Sequence, residues 1–166
     1  MTDEQLMRLA LEQAQIAADL GEVPVGAVVA KDGEPVAMAY NTRETGKNAT
    51  HHAELIAIDR ACQALGGWRL WQCDLFVTLE PCPMCTGAII NSRIKRVVYG
   101  ASDPKAGCCG SLTNLFDLPF NHHPVVESGL LEEEASAQLK GFFAALREKR
   151  KQQKLKAKQE EAADER

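Results

Sequence analysis

The chain has 166 residues, 45% of them apolar and 25% charged, the size and make-up of one globular domain with a single core. No run of eighteen apolar residues occurs, so no membrane span is expected. The net charge of −4 excludes a bulk basic field as the force that draws this body to nucleic acid.

The N-terminal stretch MTDEQLMRLALEQ is acidic and amphipathic, with neither the basic nor the apolar region of a signal peptide, which places the protein in the cytoplasm. Thr2 and Gln5 form a capping-box pattern. Leu6, Leu9, Ala10, Ile16, Ala17 and Leu20 follow at helical spacing, and Gly21 marks the stop. VPVGAVVAKDGEPVAMAYN reads as a hairpin turning at Asp32-Gly33, and TRETGKNAT as a polar loop. From His52 to Leu65 the pattern is helical, with Leu55, Ile58 and Cys62 on one face and Gly66-Gly67 as the end. CDLFVTLE is a buried strand, and PCPMCTGAIINS a helix starting at or just after its prolines. KRVVYG and PVVES are short strands. The last helix runs from about Leu131 past Leu146, with Leu139, Phe142, Phe143 and Leu146 expected to face the core.

This order predicts an α/β domain over residues 1–146, one sheet covered by helices on both faces. Residues 147–166 carry eight basic and five acidic side chains, leaving −7 on the rest of the chain. Leu155 is their one large apolar residue, so they read as a charged helix extension or disordered tail with a solvated face.

The six cysteines, in a reducing compartment, are thiols or metal ligands rather than disulfides. Cys82 and Cys85 stand three apart at a helix start, where free N–H groups stabilise thiolates. Alone, the pair fits half a structural zinc site or a redox dithiol. Cys73 and the Cys108-Cys109 pair are possible further ligands, but their settings favour simple burial. With His52 the donor set becomes one imidazole and two thiolates. Three ligands leave one tetrahedral position open, the arrangement of a catalytic zinc with its water. Glu54, two positions beyond His52, then sits beside the metal as general base.

HAE followed by PCPMC resembles the His-x-Glu…Pro-Cys-x-x-Cys signature of the zinc nucleoside and nucleobase deaminases. EVPVGAVV, YNTR, HAELIAI, the run from LFVTLEPCPMC to GCCGSL, and NHHPVV extend the resemblance to the bacterial tRNA adenosine deaminases over about residues 4–146. The resemblance implies a three-layer α/β/α cytidine-deaminase-like fold with a central five-stranded mixed sheet, one zinc ion per subunit and a homodimer. It further implies conversion of adenosine to inosine at the wobble position of an arginine tRNA, whose anticodon stem-loop would be the partner. Asn41 would meet the purine edge and the Ala53 backbone would hold the base. Asp103 would meet the RNA near the target, with Lys105, Asn121 and His122 as weaker contacts. Each has a plainer reading: Asn41 and Asp103 as turn residues, His122 as one of a solvent-facing loop pair. Arg43, Lys47, Arg93, Lys95, Arg96 and Lys105 are candidates for phosphate contacts. Two positions depart from the family: Cys108-Cys109 replaces small apolar residues, and His51 offers a second imidazole beside His52. Adjacent helical residues point about 100° apart, so one of the two binds, and the signature selects His52. The alternatives are a zinc deaminase of a free nucleobase or nucleotide and a non-catalytic zinc-stabilised module.

Overall fold

A computed structural model describes all 166 residues. Helix α1 (Asp3–Asp19) starts at the expected capping box: the Gln5 N–H donates to the Thr2 hydroxyl, and the Thr2 N–H donates to the Gln5 side chain. Strands β1 (Gly26–Lys31) and β2 (Glu34–Tyr40) follow, then α2 (Ala53–Leu65), β3 (Cys73–Leu79), α3 (Pro83–Ser92), β4 (Arg96–Ala101), β5 (Val125–Ser128) and α4 (Glu132–Asp164). Asp32 and Gly33 both take positive φ, 52° and 76°, as the two-residue turn of the β1–β2 hairpin requires.

The sheet order is β2-β1-β3-β4-β5. β1 runs antiparallel to β2 and β3, and β4 runs parallel to β3 and β5, which is the five-stranded mixed sheet expected. Alternation along the strands feeds two cores. Val29, Leu75, Val77, Val97 and Tyr99 pack under α2 and α3. Val28, Ala30, Phe76 and Val98 pack under α1. No helix is long and apolar enough to cross a membrane.

Two expectations about helix faces need correction. The buried face of α2 is Ala53, Glu54, Ala57, Ile58 and Ala61, while Leu55 and Cys62 are only half-buried. Small side chains let this helix lie close on the sheet, so its contact face is not its bulkiest one. In α4 only Ala135 is buried; Leu139 packs at the margin of the core, Phe142 and Leu146 are half-buried, and Phe143 is exposed. Leu139 lies by Leu79 and Ala101, the last residues of β3 and β4, so the following turns have already run past the sheet.

A Cβ built on Gly26 would overlap the Ala10 carbonyl and crowd the Ala14 nitrogen, so α1 crosses β1 with no room for a side chain. We expect Gly26→Ala to cost about 1–3 kcal/mol as an overpacked contact. In thermal unfolding this would lower Tm by roughly 5 °C; an unchanged Tm would show that α1 is free to move off the sheet.

Candidate active site

Two helix starts build the site. α2 follows the loop after β2, and α3 follows directly on β3. Their N-cap residues are His52 and Cys82, and neither side chain caps its own helix. The two side chains turn toward each other instead. His52 Nδ1 lies 3.6 Å from the Cys82 sulfur and 3.6 Å from that of Cys85, one turn into α3. The three donor atoms all lie within 4.8 Å of one another. Bonds of about 2.3 Å to sulfur and 2.0 Å to nitrogen around a tetrahedral zinc would put sulfur and nitrogen about 3.5 Å apart, so the donor set fits such an ion.

The protonation chemistry agrees. The Cys85 thiol and the His52 imidazole hydrogen-bond to Cys82 and hold it down to about 4 against its burial. Cys85, facing that thiolate and buried, is pushed up. One thiolate suppresses the other, and a dication between them removes that conflict. The open N-termini of two helices favour negative charge at the same place.

No fourth His, Cys, Asp or Glu completes the cluster. Cys73 is buried in β3. Cys109 lies 3.5 Å from the Thr86 hydroxyl, and the Cys108 thiol donates to the Ala106 carbonyl. His51 is also settled: its ring packs against Gly46, where a Cβ would strike it.

Glu54 is 3% exposed and lines the pocket that His52 and Cys82 share. Burial pushes its carboxyl pKa up, opposed by a hydrogen bond from the Cys85 thiol and by the charge of His52. A carboxyl poised toward its protonated form beside a three-donor cluster suits proton transfer.

The same pocket is lined by Val23, Val25, Asn41, Arg43, Ala53 and Asp103. Asn41 donates to the Val23 carbonyl and accepts from the Arg43 N–H, so it does turn the chain. Its amide still has a spare N–H and a spare lone pair. Ala53 is the first residue of α2, where backbone N–H groups lack helical partners. Asp103 accepts from the Lys105 and Ala106 N–H groups through one oxygen, leaving the other free at the rim. Asn41 and Asp103 therefore both turn the chain and line the pocket.

Other candidates lie elsewhere. The imidazole of His122 lies 2.6 Å from the Ile94 carbonyl, just before β4, whereas the pocket sits beyond that strand's far end. Six strand residues make that separation about 20 Å. Exposed Asn121 is next to His122, and exposed Lys105 is beside the rim without lining the pocket. Arg96 is not available for phosphate: Asp3, Asp74 and Glu127 all pair with it. Arg93 ends α3, donating to the Ile90 carbonyl.

Two functional carboxylates escaped the sequence reading. Glu80, 2% exposed, accepts from the N–H groups of Asp103, Cys109 and Ser111 and from the Ser111 hydroxyl. Glu22, fully buried, accepts from the Glu44 and Thr45 N–H groups and the Thr45 hydroxyl. They pin the two loops on either side of the pocket. In the sequence, each is a lone carboxylate inside an apolar run, GEVPV and TLEPC, which was the available signal.

A mixed sheet with two helix N-termini converging on an imidazole, two thiols and a buried carboxylate defines the class of metal-dependent nucleobase deaminases. The chain belongs to the MafB19-like deaminase family, whose pattern it matches over residues 1–147. It is 52% identical over 150 residues to the tRNA-specific adenosine deaminase of Bacillus subtilis, covering 90% of this chain and 93% of that one. It is 46% identical to the protein of the same name from Haemophilus influenzae, covering 92% and 89%. A solved structure from studies of A-to-I editing by tRNA:A34 deaminases at the wobble position superposes with a TM-score of 0.77 at 44% identity, covering 81% of this chain and 99% of that one. A guanine deaminase structure from Bacillus subtilis is more distant, with a TM-score of 0.60 at 35% identity and coverage of 83% and 92%.

Proposed function

We propose that this chain is a zinc-dependent hydrolase that converts adenosine to inosine at the wobble position of tRNA, an arginine tRNA by family resemblance. The observation that supports it most is the meeting, in one pocket, of a three-donor cluster and a buried carboxylate. High identity to tRNA-specific adenosine deaminases over nearly the whole domain supports the substrate.

His52, Cys82 and Cys85 would hold zinc, which when bound would supply Lewis-acid activation of water at neutral pH. Glu54 takes a proton from the attacking water and delivers it to purine N1. It then takes the remaining proton from the hydroxyl now on carbon 6 and passes it to the departing amino group, so the C6=O forms as the C–N bond breaks and water and adenosine become inosine and ammonia. Asn41 and the Ala53 N–H hold the base edge. Val23, Val25 and Leu79 line the pocket beside them. Asp103 and Arg43 stand at the mouth, where the loop backbone would lie. A target base must leave its stack to enter, and an anticodon loop permits that.

The enzyme works in the cytoplasm as a homodimer in this reading, with residues 1–146 as the deaminase domain and 147–166 as a charged extension. Exposed Leu65, Trp68 and Trp71 support a second subunit as the cover for this surface. Asn121 and His122 lie too far from their own pocket, so any contact of theirs with the bound loop must reach it from the second subunit.

The test is incubation of the zinc-loaded protein with a transcribed arginine tRNA carrying adenosine at the wobble base. Conversion of that base alone to inosine, read by sequencing, is the expected result. Turnover of free guanine with no change in the tRNA would instead favour the nucleobase reading that the guanine deaminase neighbour suggests.

A further inference from the structure

Helix α4 is 33 residues long, about 50 Å, far longer than the sheet beneath it. Its first turns are anchored. Glu134 pairs with Arg8, the Gln138 side chain donates to the Leu11 carbonyl, and Leu139 packs beside Ala101. Successive α4 residues thus meet successive α1 residues in the same order, so the two helices run parallel. α1 leads to Glu22 and Val23 at the pocket. α4 therefore leaves the sheet at the end that carries the pocket and projects beyond it.

Past Leu146 every residue is exposed, and the one side-chain hydrogen bond is between Gln152 and Glu148. None of the cations there is in an ion pair; all seven salt bridges lie elsewhere. Their spacing is not random. Arg147, Arg150, Lys151, Lys154 and Lys158, of which Arg150 and Lys151 are adjacent and the other successive pairs three or four apart, occupy a sector about 100° wide. The stripe is about 16 Å long and lies on the flank away from Glu134 and Gln138, the residues that touch α1. Lys149 and Lys156 lie outside the sector. Glu160, Glu161, Asp164 and Glu165 follow once the stripe has ended.

We propose that this stripe is a docking surface for the phosphate backbone of the tRNA stem next to the loop that enters the pocket. The inference rests on the tRNA reading above. A membrane would require an apolar face, and a coiled-coil partner an apolar seam; the segment has Leu155 alone. A phosphate backbone requires only cations on a rigid scaffold. The body, at −7, supplies no such field, so the extension compensates for it. This chain covers 99% of the wobble-deaminase structure with 81% of its own length, so that fold is complete without a projection of this size. The stripe thus contributes to holding the substrate and not to the chemistry.

The test compares two full-length variants. In one, Arg150, Lys151, Lys154 and Lys158 are replaced by Gln, a good helix former. In the other, Lys149 and Lys156 are replaced by Gln. The readouts are helicity, tRNA affinity across a salt series, and turnover at saturating tRNA. We expect equal helicity per residue, a loss of affinity of roughly 10-fold or more in the first variant, and a salt slope shallower by about 2–3. The second variant should change affinity less than about 3-fold, and neither should change turnover at saturation. Equal affinity in the first variant and the unaltered protein, or equal losses in both variants, would overturn the stripe. If the unaltered protein leaves tRNA unmodified, the functional reading fails first and the stripe falls with it.

Discussion

Glu54→Gln should leave the protein folded and zinc-loaded while lowering adenosine turnover by about 10²–10⁴-fold. The amide keeps the shape of the carboxyl but cannot carry a proton from water to N1. In the metal-free protein its cost to stability should be nil or negative. Burial raises the Glu54 pKa there, so the ionised form is disfavoured in the folded state above the ordinary carboxylate value. A neutral amide removes that penalty, and Tm after metal removal should stay level or rise. Metal analysis and inosine sequencing on the loaded protein, and a thermal melt on the stripped one, measure all three quantities. The pattern separates an enzyme from a zinc-stabilised module: retained activity in this variant, with metal in place, would remove Glu54 from the reaction.

What the sequence made legible was local. A Thr2–Gln5 cap, an Asp-Gly turn and a Cys-x-x-Cys at a helix start each act within a few residues, and all three stand as read. The pairing of His52 with Cys82 and Cys85 spans thirty residues, yet it was legible because each half of the motif marks a helix N-terminus. Readings that needed the direction of a strand did worse. Arg93, Lys95 and Arg96 follow the cysteines closely in sequence, but they stand at the wrong end of β4. His122 sits there too, tied to Ile94. The α4 aromatics looked like core because periodicity reports a stripe and not what lies under it; the sheet had ended by Leu139. Glu22 and Glu80 were missed because a buried carboxylate is recognisable only through its donors, and those come from loops more than twenty residues away.

Glu80→Ala should damage both fold and function. The carboxylate is the single acceptor for three backbone N–H groups and one hydroxyl, and Gly107 lies so close that a Cβ there would overlap it. Removing it strands those donors in the interior at about 1–3 kcal/mol each, less what water entering the gap recovers. A net loss of about 3–5 kcal/mol is expected, a drop in Tm on the order of 10 °C for a chain this long. The loop it pins carries Asp103 and Ala106, one wall of the pocket, so KM for tRNA should rise more than kcat falls. The pH dependence adds a signature. Burial raises the Glu80 pKa, but the Ser111 hydroxyl and the three N–H groups outweigh it and hold the group below its ordinary value. A depressed carboxylate contributes stability that is present above its unfolded pKa and lost as pH falls through the folded one. Glu80→Gln should therefore differ most from the unaltered protein near neutrality and converge with it in acid. Denaturation at a series of pH values measures that convergence, and parallel curves would mean the loop is held by something other than this charge.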